Sequence, residues 1–191
     1  MSVTFAETAT RYGVLMQSGV ESIIVRIGED GRPKHRVLTD RVASAALNDQ
    51  VDVYVASGGF SPGSVTEYQG RSKTNVKRVW FLPFDCDLAD FLTMSKADVY
   101  ALSQEEIDSY LPDFMEAATG AIRAQGLPVS GVEYTGHGLL VRTRLAFVDS
   151  DRVTEIDAAL KTVVKRINAA AGFALVDTAG TDAGTRIVRL V

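Results

Sequence analysis

Asp85 and Asp87 are the residues whose type and spacing point most directly to chemistry. They follow an apolar stretch, residues 79–84, that is typical of a buried strand. Because side chains alternate along a strand, both carboxylates would project from one face and Cys86 from the other. Two carboxylates held so close favour a cation, and hard oxygen ligands suit Mg²⁺ or Mn²⁺. Solvated acidic pairs are also common at strand ends, so the pair alone leaves both interpretations open.

A glycine-rich turn is predicted between two later strands, at Thr135, Gly136, His137 and Gly138. Glycines permit tight backbone turns and let amide groups approach a phosphate closely. The functional interpretation is a triphosphate cradle in which His137 donates to phosphate. The alternative is a plain hairpin turn with an exposed histidine, and this motif alone favours that alternative.

The C-terminal part of the sequence offers further carboxylates and two arginines. Asp177 and Asp182 flank a glycine-containing loop that precedes Arg186 and Arg189. One aspartate would complete a metal site, and we favour Asp177 because the end of a predicted strand is a rigid position. An arginine would then meet phosphate. Turn aspartates and surface arginines on an edge strand explain the same residues equally well.

The densest basic cluster immediately precedes the aspartate pair and consists of Arg71, Lys73, Lys77 and Arg78, with Asn75 among them. Cationic side chains at this spacing can contact phosphates of a nucleotide or a nucleic acid. A solvated charged face is the alternative interpretation. The cluster is therefore a candidate for nucleotide or template contact.

The elements that must position these residues alternate irregularly. Capping boxes at Thr4 and Ser103 predict helix starts, and apolar spacing of i, i+3, i+4 and i+7 predicts a late amphipathic helix. Helices are predicted over 5–17, 40–47, 103–125 (kinked or divided by Pro112) and 151–172. Strands are predicted over 21–27, 34–38, 51–55, 77–88, 131–134, 139–148, 175–177 and 186–190, with a loop over 57–63. Hairpins mixed with crossovers predict an α+β fold.

Composition fits an ordinary globular protein of 191 residues, with 46% hydrophobic and 23% charged residues. A single cysteine, Cys86, excludes an internal disulfide and a multi-cysteine zinc site. The net charge of -4 argues against a generally basic nucleic-acid coat. No apolar stretch reaches the roughly 20 residues that cross a bilayer, so we expect a cytoplasmic protein without a membrane partner. His35, beside a turn, is predicted to be exposed and is assigned no function.

Taken in order, these motifs resemble those of the archaeo-eukaryotic primase superfamily, especially the primase-polymerase catalytic domains of phages and plasmids. The family's Asp-x-Asp motif is similar to Asp85 and Asp87. Its Ser-Gly-x-Gly-x-His motif is similar to residues 135–140, although the family's histidine falls at Leu140, which leaves His137 as a substitute donor. Its third motif, an aspartate followed by Arg-x-x-Arg-Leu-Pro-Gly, is similar to Asp177 with residues 186–190. The resemblance covers roughly residues 53–191, and residues 71–76 are similar to a segment that precedes the first motif.

The resemblance implies one catalytic domain, 1–191, with a helix and small-sheet unit over about 1–70 and an RRM-like catalytic unit over about 71–191. It implies template-directed nucleotidyl transfer from nucleoside triphosphates on single-stranded DNA, in replication of a phage or mobile element. It also implies a fused or associated helicase domain. The implied metal ligands for Mg²⁺ or Mn²⁺ are Asp85, Asp87 and Asp177. The implied phosphate contacts are Thr135, Gly136, His137, Gly138 and Arg186, and the implied nucleotide or template contacts are Arg71, Lys73 and Asn75.

Two other functions remain open on the sequence. A replication-initiation or single-stranded-DNA-binding module of the same fold would have lost activity with the change at Leu140. Another Mg²⁺ enzyme that uses Asp-x-Asp, such as a glycosyltransferase or a nuclease, would share the carboxylates. The apolar C-terminus is compatible with a domain of a longer polypeptide and with a natural last strand.

Overall fold

The computed structural model describes residues 20–27, 31–37, 53–149, 152–178, 182–183 and 187–190. The helices predicted over 5–17 and 40–47, and the candidate phosphate contact Arg186, lie outside these residues. The strands are β1 (Glu21–Ile27), β2 (Pro33–Val37), β3 (Val53–Phe60), β4 (Val76–Asp87), β5 (Val129–Tyr134), β6 (Gly138–Asp149) and β7 (Ile187–Leu190). The helices are α1 (Leu88–Leu92), α2 (Lys96–Tyr100), α3 (Gln104–Arg123) and α4 (Val153–Ala171), with a short 3₁₀ helix at Lys73–Asn75.

The chain forms two compact units, each assembled from separate stretches of sequence. The first unit comprises Met1–Phe81, Leu145–Glu155 and Asp182–Val191, and the second comprises Leu82–Arg144 and Ile156–Thr181. The strands β4 and β6 each contribute residues to both units. The units are therefore interleaved along the chain, whereas the lobes drawn from the sequence at 1–70 and 71–191 were contiguous.

The first unit is built on β3. This strand pairs antiparallel with β1, with β4 and with β7, and β1 continues into a hairpin with β2. The middle of β1 is buried on both faces, with Ile23, Ile24 and Val25 all at most 1% exposed. A continuous run of β-branched residues is what a strand covered on both sides requires.

The loop predicted over 57–63 is wrong in its first half, because Ser57 to Phe60 are the last four residues of β3 and are buried. The two glycines suggested a loop, but Gly59 is needed for packing in this strand. A Cβ atom at Gly59 would lie 2.7 Å from Cζ2 of the Trp80 ring. The missing side chain lets the indole lie directly against the strand.

His35 was predicted to be exposed, and this is also wrong: it is 7% exposed on β2, opposite Val25 of β1. Its backbone N–H donates to the Glu67 carbonyl at 2.6 Å. Burial lowers the pKa of the imidazole, and the nearby Arg71 charge lowers it further. A histidine inside a charged segment was buried because strand alternation, not local charge, decides which face it occupies.

The second unit packs α3 and α4 with β5, β6 and the end of β4. The strands β5 and β6 form an antiparallel hairpin in which Tyr134 faces Leu139. The largest fully buried side chains of this unit are Phe84, Phe114, Leu88, Ile122, Leu139, Ile167 and Leu175. Helices and antiparallel strands together confirm the predicted α+β class.

The capping box predicted at Ser103 and Glu106 is present at the start of α3. Pro112 was predicted to kink or divide this helix, and it does not divide it, because a single helix runs from Gln104 to Arg123. Buried Ile107 before the proline and buried Phe114 after it, seven residues apart, lie on one face of the helix. Packing on both sides of Pro112 offsets the lost backbone hydrogen bond. None of the described helices is long and apolar enough to span a membrane.

Candidate functional site

One cavity of about 420 Å³ lies in the second unit, at the end of β4. Four carboxylates line it, those of Asp85, Asp87, Asp90 and Asp177. Lys96, Tyr100 and three residues of the turn between β5 and β6, Thr135, His137 and Gly138, line it as well. The aspartate pair, the 135–138 turn and Asp177 were three separate motifs in the sequence, and the fold brings them to the same cavity.

Strand alternation places the aspartate pair as expected. Asp85 and Asp87 are partly exposed toward the cavity, whereas Cys86 between them is fully buried. Asp87 also has a structural part, because its Oδ1 accepts a hydrogen bond from the Ala89 N–H at 3.0 Å and caps α1. Its Oδ2 forms an ion pair with Lys96 Nζ at 2.7 Å.

We predict that Cys86 does not react with a thiol reagent in the native protein. Burial, and then the neighbouring Asp85 charge, raise the pKa of its thiol to about 12. At pH 8 the thiolate fraction would be about one in ten thousand, and the thiolate is the reactive form. Labelling should be absent in buffer and stoichiometric in denaturant. Rapid labelling of the folded protein would show that the strand end is open.

The 135–138 turn is closed by a hydrogen bond of its own and is held beside the end of the aspartate strand. Thr135 N–H donates to the Gly138 carbonyl at 3.0 Å, and Leu88 N–H donates to the His137 carbonyl at 3.0 Å. A Cβ atom at Gly138 would lie 2.5 Å from the carbonyl oxygen of Cys86, so only glycine permits this approach. Gly136 has φ of +98°, a conformation that also favours glycine. The turn is therefore held beside the carboxylates by its backbone.

Leu140, at the position of the family's histidine, is 6% exposed in β6. A buried leucine cannot donate to phosphate. His137 lies in the turn itself, is exposed and lines the cavity.

Asp177 was predicted to end a strand, but residues 175–177 form none. The segment is held in other ways. Asp177 N–H donates to the Asp85 carbonyl at 2.8 Å, and Leu175 and Val176 are buried. The side chain of Asn168 in α4 accepts from Val176 N–H and donates to Val176 C=O, both at 2.9 Å.

No motif in the sequence indicated Asn168 as a supporting residue, although its position was unusual. It lies four residues after Val164, on the apolar stripe of α4. An asparagine on such a stripe is unusual unless its amide has buried partners. Here those partners are both backbone groups of the residue before Asp177. The Asn168 amide therefore holds the segment before Asp177 in place, as strand pairing was predicted to do.

We predict that Asn168→Ala lowers the free energy of unfolding by about 2 to 3 kcal/mol, because it leaves the buried N–H and C=O of Val176 unpaired. Urea unfolding measures the loss. The control is Arg166→Ala, an exposed position of the same helix, which should change stability by less than about 0.5 kcal/mol. Equal stability of the Asn168 variant and the wild type would contradict this account.

Asp182, the less favoured candidate for a third ligand, lies in the first unit and pairs with Lys73 Nζ at 2.9 Å. Asp177, the aspartate favoured from the sequence, lines the cavity with Asp85 and Asp87. The other candidate contacts are also in the first unit. Arg71 lies near His35, and Asn75 Nδ2 donates to the Gly70 carbonyl at 2.7 Å, which holds the loop before the 3₁₀ helix.

Asp90 and Lys96 belong to the cavity but were not predicted from the sequence. Burial raises the pKa of Asp90, and the Asp87 and Asp177 carboxylates add to this while Lys96 opposes it. The pKa of Lys96 is raised by its hydrogen bond to Asp87 and by the Asp87 charge. The four carboxylates concentrate negative charge in this cavity, and both pKa shifts run in the direction that this charge favours. Within the described part of the chain, no three His, Cys, Asp or Glu side chains are gathered so that they could hold a metal ion.

No known protein-family profile matches the sequence, and no curated protein matches it either. A solved structure that is similar over the whole chain is the AEP (archaeo-eukaryotic primase) domain of the primase-polymerase of cyanophage S-2L. The TM-score is 0.55 at 16% identity, with 83% of that domain covered. The polymerase domain of Mycobacterium tuberculosis ligase D, solved in complex with DNA, has a TM-score of 0.49 at 16% identity, with 97% of this chain and 75% of that one covered. The first of these two similarities shows that the chain has the fold of an AEP domain, as the motifs led us to expect.

Proposed function

We propose that this chain catalyses template-directed nucleotidyl transfer from nucleoside triphosphates, as a DNA primase or primase-polymerase. The observation that carries the proposal is the shared cavity of Asp85, Asp87, Asp177 and the 135–138 turn. The aspartate pair and the turn correspond to the first two motifs of the primase superfamily, and Asp177 corresponds to the aspartate of the third. The fold matches a primase-polymerase domain.

The oxygen donors of this cavity suit a divalent metal of the Mg²⁺ or Mn²⁺ type by their chemistry, although the described side chains are not gathered closely enough to hold one as they stand. Carboxylate oxygens are the ligands these ions prefer, and four carboxylates line this cavity. Asp85, Asp87 and Asp177 would hold the metal after rearranging, and the Asp87–Lys96 ion pair is one contact that has to open. Bound metal would supply charge neutralisation of the triphosphate and activation of the primer 3′-hydroxyl.

The chain's own residues have separate parts in this proposal. The 135–138 turn would cradle the phosphates, with His137 in place of the donor that Leu140 lacks. Lys96, once released from Asp87, would remain beside the carboxylates as a cation for the triphosphate. Arg186 would add a further phosphate contact, and Arg71, Lys73 and Asn75 would contact nucleotide or template.

The test is incorporation of labelled nucleotide on a primed single-stranded DNA template, with and without Mn²⁺. We expect incorporation that depends on metal and follows the template sequence. The competing function is a replication-initiation or single-stranded-DNA-binding module of this fold. Template binding without any metal-dependent incorporation would favour that module and contradict the proposed enzyme.

We propose three partners for this chain: single-stranded DNA, nucleoside triphosphates and a fused or associated helicase domain. The proposed setting is replication of a phage or mobile element in the cytoplasm.

We predict weak template binding with a shallow salt slope, since the net charge is -4. The exposed Lys77 in β4 should contact DNA, so Lys77→Glu reduces affinity and lowers the slope by about 0.7 or more.

The control for Lys77→Glu is Lys165→Glu, an exposed position in α4 with the same change in charge. Fluorescence anisotropy at several salt concentrations measures both variants. If the two substitutions weaken binding equally, only net charge matters and the basic cluster is not the template contact. Tight binding at high salt would point instead to base stacking.

A further inference from the structure

Helix α2 presents two side chains to the cavity from one face. Lys96 and Tyr100 are four residues apart, which places them on adjacent turns of the same side. The Ser95 hydroxyl caps this helix by accepting from Asp98 N–H at 3.2 Å. The nucleotidyl-transfer proposal uses the cation of this face but leaves the aromatic ring without a part.

Tyr100 combines high exposure with a fixed orientation. Tyr100 is 61% exposed, which is the highest value among the exposed large apolar and aromatic residues in the described part of the chain. The ring meets His137 edge to face, with 4.4 Å between centroids and 65° between planes. The backbone of His137 is in turn held by its carbonyl, which accepts from Leu88 N–H at 3.0 Å.

The chemistry of the cavity wall changes over a short distance. Carboxylates and Lys96 make one part of it strongly polar, whereas Tyr100 contributes a largely exposed aromatic ring. A ligand that complements both parts has two ends. One end is an anionic group that binds Lys96 and, through a bound metal cation, the carboxylates, and the other end is a flat aromatic group. A nucleoside triphosphate with bound divalent metal has this form.

We infer that Tyr100, oriented by His137, is the platform on which the nucleoside part of the bound triphosphate stacks. This inference rests on the proposed function and deepens it. Stacking of a base on an aromatic ring is tolerant of sequence, since every base has a π-face. Tyr100 should therefore raise the affinity of all four nucleotides without choosing strongly among them.

The test compares two ligands that share a triphosphate but differ in the nucleoside. ATP and inorganic tripolyphosphate are titrated calorimetrically into the full chain with Mn²⁺. The wild type should bind ATP more tightly than tripolyphosphate. Tyr100→Ala should weaken ATP about tenfold, bringing it close to tripolyphosphate, and leave tripolyphosphate unchanged. Tyr100→Phe should bind both ligands like the wild type, because it keeps the ring.

The matched control is Tyr110→Ala, which removes a tyrosine that is 38% exposed on α3 and should change neither affinity. Unchanged ATP affinity in Tyr100→Ala, or an equal loss for both ligands, would overturn the platform. If the wild type binds both ligands equally, the platform is wrong while the triphosphate site stands. If it binds neither, the proposed function fails together with the platform.

Discussion

Asp85→Asn and Asp87→Asn should each reduce nucleotidyl transfer by at least about a thousandfold. Each substitution keeps the size of the side chain but removes a negative charge from the cavity. Metal ions contribute several kcal/mol of charge stabilisation, and about 4 kcal/mol corresponds to a factor of a thousand in rate. Primer extension under single-turnover conditions measures the loss.

The asparagine variants are preferred to alanine for a structural reason. Asp87 caps α1 through Ala89 N–H, so Asp87→Ala would cost about 1 kcal/mol of stability, whereas asparagine is also a good cap. The matched control is Asp113→Asn, an exposed carboxylate on α3, which should extend primers at the wild-type rate. Wild-type rates in both cavity variants would show that these carboxylates are not the metal ligands.

Gly138→Ala, which adds a single methyl group, should lower both the stability and the activity of the protein. The added Cβ would lie 2.5 Å from the Cys86 carbonyl oxygen, and neither backbone is free to yield. We expect a loss of about 1 to 3 kcal/mol in the free energy of unfolding. Displacement of the turn from the carboxylates should also slow transfer about a hundredfold, since misplacement by about 1 Å has effects of this size.

Gly120→Ala is the control for the same change elsewhere. Gly120 lies inside α3, and a Cβ atom there would meet nothing within 4 Å. Alanine favours helices over glycine, so this variant should be stabilised by about 0.5 to 1 kcal/mol and remain fully active. Urea unfolding and primer extension on both variants test the contrast. A Gly138 variant with wild-type stability and activity would contradict the close approach of turn and strand.

Local patterns in the sequence correctly predicted the features that depend only on neighbouring residues, such as strand alternation and helix capping. Alternation along β4 separated Cys86 from its two aspartates, and the Ser103 capping box marked the start of α3. Residues that act through distant partners were beyond such patterns. Gly59 was assigned to a loop because its partner Trp80 is twenty-one residues away. The helix through Pro112 is not divided, because buried residues pack on both sides of the proline.

The candidate site shows the same division. Asp85, Asp87 and Asp177 could be proposed from residue type and order, and the resemblance to primases linked them. The support for Asp177 could not be predicted from residue type and order, because it comes from the side-chain amide of Asn168 on another element. Lys96 and Asp90 were also missed, since only the fold of the short helices after β4 brings them to the cavity.

The most direct measurement is a crystal structure of the chain with Mn²⁺ and a non-hydrolysable nucleoside triphosphate. We expect anomalous density among the carboxylates of Asp85, Asp87 and Asp177, with the Asp87–Lys96 ion pair opened. We also expect the triphosphate to lie against the backbone of the 135–138 turn. Mn²⁺ bound only elsewhere, or a triphosphate away from this turn, would contradict the account.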